Sequence, residues 1–139
     1  MTRAGGPADR ALSGFMRVAA AQSDRNAVDF YLDAGLTFKG LVGSRPNDQT
    51  GLAVAYGNVS PQLAALCGNF VAATGMPTPI PNYETTIELT YRMALAPNWA
   101  LQPDLQYIVH PGGSVANPRD PGAAIPNALV VGLRTILKF

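Results

Sequence analysis

The chain has 139 residues and a formal net charge of +1, which allows one domain or part of one and provides no bulk positive charge for binding nucleic acid. Charged residues make up only 14% of the sequence, against about 25% in an average globular chain. No apolar run approaches the roughly 18 residues that a membrane-spanning helix needs. Cys67 is the single cysteine, so an internal disulfide is excluded, and no Cys/His cluster suggests a metal site or a cofactor.

Alternation of apolar and polar side chains predicts six long strands. The first, over about residues 12–22, is weakly marked because alanine occurs on both of its faces. The others are clearer and lie at about residues 28–41, 50–59, 83–95, 99–110 and 127–139. At roughly 10–13 residues, most are long against the usual five or six. Residues 1–11 are expected to be an unstructured start or the remnant of a truncated strand.

The connections between these strands are of two kinds. Residues 43–49 and 97–98 form short turns, whereas residues 60–81 and 111–126 are long; the first connection, around residues 23–26, is short too. Ser60 as N-cap and Pro61 at the first helical position predict one short helix in the first long connection. A connector that packs its own few apolar side chains is the simpler interpretation of that segment. A long external loop is the functional one, since short turns on one side and mostly longer loops on the other are typical of outer-membrane barrels.

Aromatic residues occur at the ends of the apolar faces. Tyr83 begins the apolar face of the fourth strand, Trp99 begins that of the fifth, and Phe139 ends that of the sixth. These positions are typical of the interfacial girdles of transmembrane barrels, whereas a soluble sandwich would sooner bury its aromatics at mid-strand. The pattern therefore favours an antiparallel transmembrane β-barrel segment. A soluble antiparallel β-sandwich that binds carbohydrate or another ligand stays open as the alternative.

The opposite face of the strands carries charged and hydrogen-bonding side chains. In a transmembrane barrel this face would line a water-filled lumen; in a sandwich it would be an ordinary solvated surface. The first lining candidates are Arg92, Arg134, Glu84, Glu88, Gln102, Asp104 and Gln106, and the second are Asp29, Asp33, Lys39 and Tyr31.

Patterns typical of catalysis are weak. His110 is the only histidine. Glu84 and Glu88 share one strand face but lie roughly 13 Å apart along the strand, beyond the roughly 5–9.5 Å between paired glycosidase carboxylates. No nucleophile elbow, phosphate-binding loop or metal-ligand spacing occurs, so an enzyme is not expected.

Several segments resemble carbohydrate-selective porins of the OprB family over about residues 12–139. The resemblance is most specific in Glu88–Tyr107 and continues through His110-Pro-Gly-Gly113 and Asn127–Thr135 to Phe139. It implies a barrel of about sixteen strands in the outer membrane of a Gram-negative bacterium. Sugars would diffuse passively through its lumen and contact the lining candidates named above.

The resemblance also implies a C-terminal fragment of such a barrel. Known outer-membrane barrels have at least about eight strands, and an open sheet edge in lipid leaves backbone groups unsatisfied. The first ten residues lack the apolar core of a signal peptide, so the beginning is expected to be missing. The expected partners are mono- or oligosaccharides, outer-membrane lipid, the barrel-assembly machinery acting on the C-terminal strand, and further copies in a trimer. Neither nucleic acid nor a metal is expected.

Overall fold

The computed structural model describes residues 10–139, and within this range six long strands form one antiparallel sheet. The elements in chain order are β1 (Ala11–Ala20), β2 (Val28–Lys39), β3 (Gln49–Val59), α1 (Pro61–Thr74), β4 (Tyr83–Ala96), β5 (Trp99–Val109), α2 (Pro111–Ser114), β6 (Ala116–Asn117), β7 (Asp120–Ala124) and β8 (Ala128–Leu137). The sheet order is β1-β2-β3-β4-β5-β8, and β6 and β7 pair separately. All six predicted strands are therefore confirmed. The prediction for residues 1–11 lies mostly outside the described residues, and β1 begins at Ala11.

A left-handed glycine ends β2, and the register of the sheet is regular apart from two bulges. Gly40 has a left-handed φ of 70°, and its amide donates to the carbonyl of Asp48 over 2.9 Å, so β2 ends in the turn that leads to β3. Within the six-stranded sheet the register shifts only between Val28 and Phe30 and between Ala94 and Ala96. Apart from these two bulges, each strand keeps one apolar and one polar face, as the alternating sequence requires.

Helix α1 begins and ends as its capping residues predict. The Ser60 hydroxyl accepts a hydrogen bond from the amide of Leu63 at 3.3 Å, and Pro61 takes the first helical position. Gly75, with a left-handed φ of 67°, closes the C-terminus through its amide to the carbonyl of Val71. No residue of α1 is fully buried, while Leu63, Cys67 and Val71 are half-buried. No helix within residues 10–139 has the length and apolar character needed to cross a membrane.

The segment 111–126, predicted to be a loop, contains regular structure. It begins with α2, an irregular turn in which Gly112 and Gly113 have left-handed φ angles of 67° and 70°. The β6–β7 hairpin follows, and its turn is held by the Asn117 side chain, which accepts from the amide of Arg119 at 3.0 Å. These strands have two and five residues. Strands this short show no alternation that a sequence pattern could detect.

The six-stranded sheet is a single layer. Among the described residues, the only buried hydrophobic side chain is that of Ala100. The apolar face is open, with Leu89 48%, Leu133 70% and Val131 74% exposed. No second sheet covers this face in the part of the chain that the structure describes, so the sandwich alternative lacks the layer it requires.

Candidate functional site

The strand register collects the predicted lining residues on one side of the sheet, here called the polar face. Residues directly opposite each other on neighbouring strands share a face. The register places ten of the eleven candidates on it: Tyr31, Asp33, Lys39, Glu84, Glu88, Arg92, Gln102, Asp104, Gln106 and Arg134.

Asp29 is the candidate that the register does not place there. It lies in the bulge between Val28 and Phe30, where the pairing with β3 shifts by one residue. Its carboxylate accepts a 2.8 Å hydrogen bond from the side-chain amide of Asn58, whose oxygen in turn accepts from the hydroxyl of Tyr56 on the apolar face. A bulge redirects a side chain in a way that strict alternation does not anticipate.

An ion pair on the polar face connects β1 to β2. Arg17 lies opposite Asp33, and its guanidinium donates to both carboxylate oxygens, with Nη2 at 2.6 Å and Nε at 2.9 Å from the nearest oxygen atoms. The Asp33 residue is 7% exposed, so the pair shields this carboxylate from water. The weak pattern of the first strand left the face of Arg17 undecided. Its partner becomes evident only from the register.

The two glutamates of β4 have separate partners. Glu88 accepts a 3.0 Å hydrogen bond from Gln106, which lies directly opposite on β5. Glu84 accepts a 2.6 Å hydrogen bond from the amide of Gly112 in α2. The first contact ties two strands together, and the second fixes α2 at one end of the sheet.

Charge is unevenly distributed along the polar face. The sheet has a turn end, at residues 40–48 and 97–98, and a loop end, at α1 and residues 110–127. Glu84 and Asp33 lie towards the loop end, with Glu88 nearer the middle. One cross-strand row near the turn end contains no carboxylate: Lys39, Gln49, Arg92, Gln102 and Arg134 follow one another across five strands, with Arg92 placed opposite Gln102 by the pairs on either side.

Aromatic side chains mark both ends of the apolar face. At the loop end the rings of Phe30, Tyr56 and Tyr83 follow one another with centroid distances of 6.3 and 5.6 Å. His110 has a left-handed φ of 51°, and its ring packs edge-on against that of Tyr83 with a centroid distance of 4.6 Å. Trp99 marks the turn end, where its indole donates to the Thr135 hydroxyl at 2.9 Å. Phe139, the third predicted interface aromatic, is fully exposed beyond β8.

A constant spacing separates these aromatic ends. Three strands carry a pair of aromatics eight residues apart on the apolar face: Phe30 and Phe38, Tyr83 and Tyr91, and Trp99 and Tyr107. Eight residues span about 27 Å along a strand, or about 21 Å along the normal of a barrel whose strands tilt by about 40°. The apolar band of outer-membrane barrels is about 25 Å tall. This spacing was visible in the sequence but was not used in the prediction.

Asp48 anchors the turn end through contacts with β4 that the sequence did not reveal. It is 2% exposed, and its carboxylate accepts from Arg45 Nε at 2.5 Å, the Tyr91 hydroxyl at 2.6 Å and the amide of Ala94 at 2.9 Å. Burial would raise the pKa of the Asp48 carboxyl, but these three hydrogen bonds outweigh it and hold the pKa below its ordinary value. The β2–β3 turn is thereby fastened to β4.

Comparison with known proteins gives consistent matches. The sequence matches the family described as "Carbohydrate-selective porin, OprB family" over residues 1–139. It is 28% identical to "Porin B" of Pseudomonas aeruginosa across 96% of this chain and 29% of that protein. The structure matches "High pH structure of Pseudomonas putida OprB" with a TM-score of 0.80 and 30% identity, across 94% of this chain and 31% of that one. The chain thus spans less than a third of the length of these relatives.

Proposed function

Because the chain belongs to the OprB family of carbohydrate-selective porins, we propose that it forms part of the wall of an outer-membrane pore through which sugars diffuse passively. The observation that carries this proposal is the contrast between the two faces of one uncovered sheet. One face exposes aliphatic side chains between aromatic ends, and the other carries charges and amides. A single layer with these two faces suits lipid on one side and water on the other.

The polar face offers sugars the groups that they need to leave bulk water. Carboxylates, amides and guanidinium groups can exchange hydrogen bonds with sugar hydroxyls, so a solute moves along the wall without any covalent step. Near the loop end, Tyr31 and Glu84 border a cavity of about 330 Å³ together with Thr86 and the glycines Gly57 and Gly112. Tyr31 would supply a stacking surface for a sugar ring there, and Glu84 would supply a hydrogen-bond acceptor.

The remaining expected partners follow from the two exposed surfaces of the sheet. Outer-membrane lipid would cover the apolar face, with Tyr83, Trp99 and Phe139 at the interfaces. The outer edges of β1 and β8 are unpaired within residues 10–139, and an open edge in lipid is costly, so both would pair with further strands of a closed barrel. Action of the barrel-assembly machinery on the C-terminal strand and association into trimers stay predictions.

A chimeric barrel would test the proposed function. This chain would replace the segment of Pseudomonas putida OprB that it matches, and the slower migration of boiled samples on a gel would confirm that the barrel folds. We expect liposomes containing the chimera to swell in isotonic glucose, at a rate that decreases as larger sugars are supplied. A folded chimera that gave no swelling above that of empty liposomes would contradict the proposal.

Two neighbouring positions on β4 provide a matched pair for the lining assignment. Glu88 lies on the polar face, and Leu89 lies on the apolar face with 48% exposure. Glu88→Trp should slow glucose-driven swelling because the indole enters the lumen, whereas Leu89→Trp should leave the rate unchanged because the indole contacts lipid. Equal effects of the two substitutions would show that these faces are assigned wrongly.

A further inference from the structure

The turn end of the polar face contains a cavity with an unusual charge balance. Its volume is about 590 Å³. The charged side chains that line it are three cations and the polar uncharged ones are three amides, with no carboxylate in the lining: Lys39, Arg92 and Lys138, with Asn47, Gln49 and Asn98. This group is here called the basic cavity. Arg134 extends the same basic surface along the row described above, opposite Gln102.

The cations of the basic cavity are not neutralised by neighbouring acids. The ion pairs found within residues 10–139 involve Arg17, Arg25 and Arg45 instead. Asp48 precedes Gln49 in the chain, but it is 2% exposed and its carboxylate is occupied by Arg45, Tyr91 and Ala94. Asp104 is the nearest other acid on the polar face, and it lies in the adjacent row, opposite Thr90 and Gly132.

From this arrangement we propose that the basic cavity is a subsite for sugar acids, that is, monosaccharides that carry a carboxylate. The inference rests on the proposed function, because the cavity acts on permeation only if the polar face lines a pore. A guanidinium can hold a carboxylate through two parallel hydrogen bonds, and lysine adds a point charge. The three amides serve the hydroxyls that a sugar acid shares with a neutral sugar. The cavity therefore favours a solute that carries both groups over either a neutral sugar or a simple anion.

Glucuronate and glucose are a suitable probe pair, since they share a ring and differ by a carboxylate. The permeability of glucuronate divided by that of glucose would be measured in the folded chimera by tracer flux into liposomes at low ionic strength. A unit charge about 5 Å from an anion in water changes its local concentration about fourfold. We expect the ratio to fall about fourfold in Arg92→Gln and further in the triple variant Lys39→Gln/Arg92→Gln/Lys138→Gln. In 1 M salt, where the screening length is about 3 Å, the difference should disappear.

Control variants separate the cavity from the general charge of the protein. Arg25→Gln removes the same charge from an exposed turn at the loop end, so it should retain most of the parental ratio. Arg92→Lys keeps the charge but loses the paired hydrogen bonds, so its ratio should lie between those of the parent and Arg92→Gln. Lys138 lies beyond the last residue of β8, and Lys138→Gln alone should lower the ratio without a risk to strand pairing. A ratio unchanged in Lys138→Gln and in the triple variant, with glucose flux intact, would overturn the inference alone. A folded chimera impermeable to glucose would overturn the proposed function and this inference with it.

Discussion

Replacing Ile87 by arginine tests whether the apolar face contacts lipid. Ile87 lies midway between Tyr83 and Tyr91 on β4, opposite Val54 and Tyr107 on the neighbouring strands, and is 45% exposed. Four residues separate it from either aromatic, which corresponds to about 10 Å along the normal of a barrel with tilted strands. This depth places the side chain near the middle of an apolar band about 25 Å tall.

The expected loss of folding free energy in Ile87→Arg depends sharply on whether lipid or water covers the apolar face. An arginine at the midplane of an outer-membrane barrel destabilises it by about 2–4 kcal/mol, and close to the interface by about 0–1 kcal/mol. Ile87→Arg should therefore lower the folding equilibrium constant by about 30- to 700-fold. Leu95→Arg, four residues beyond Tyr91 in the bulge at the turn end, should cost little. If water covered this face, a substitution at a half-exposed position would stay within about 0.5 kcal/mol.

The assay is the folded fraction of the chimeric barrel in thin phosphatidylcholine vesicles across a urea gradient, read from its mobility on a gel without boiling. Thr86→Arg is the matched control, since it places the same side chain one residue away on the polar face. The reasoning is refuted if Ile87→Arg and Thr86→Arg shift the urea midpoint equally, or if Leu95→Arg is as costly as Ile87→Arg.

Two further substitutions test contacts within the wall. Asp48→Asn should destabilise the barrel by about 1.5–3 kcal/mol, because charged hydrogen bonds to Arg45 and Tyr91 are lost; equal urea midpoints would contradict this. Since the pKa of Asp48 is lower in the folded state, its contribution is fully present above pH of about 4 and is lost as pH falls below that value. Urea titrations of the two proteins should converge in acid. Gly132→Val should cost about 1–3 kcal/mol, because a Cβ there collides with the Asp104 carboxylate; adding Asp104→Ala should restore stability, and a double variant as unstable as Gly132→Val would exclude this cause.

The faces of the strands were predictable because each depends on local alternation alone. Tyr83–Leu95 and Trp99–Val109 alternate with few exceptions, and the structure places their polar and apolar residues as the pattern predicts. The order of the long strands then follows their order in the chain, since consecutive antiparallel strands usually pair. The helix after Ser60 was equally local, because its N-cap and proline act within one turn.

Other features depended on contacts between distant residues. The carboxylate of Asp48 meets Tyr91 43 residues further along, and no local pattern distinguishes it from an ordinary turn aspartate. The face of Arg17 was ambiguous among alanines until the register placed it opposite Asp33. Asp29 was assigned to the polar face by alternation, but the bulge at this position interrupts that rule. Each of these outcomes depends on pairing, which a single sequence specifies only weakly.

The register of the last strand shows how such pairing is selected. A slip of β8 by one residue would turn its apolar residues to water and Arg134 to lipid, and both changes are unfavourable. A slip by two residues keeps the faces, so it is the real competitor, and hydrophobic patterning does not oppose it. The slip that brings Val130 opposite Asp104 would put a branched side chain where the Asp104 carboxylate now lies. The slip in the other direction would separate Trp99 from the Thr135 hydroxyl. Gly132 is the only glycine in β8. Gly132 and the Trp99–Thr135 hydrogen bond together favour the pairing that places Arg134 opposite Gln102 in the basic row.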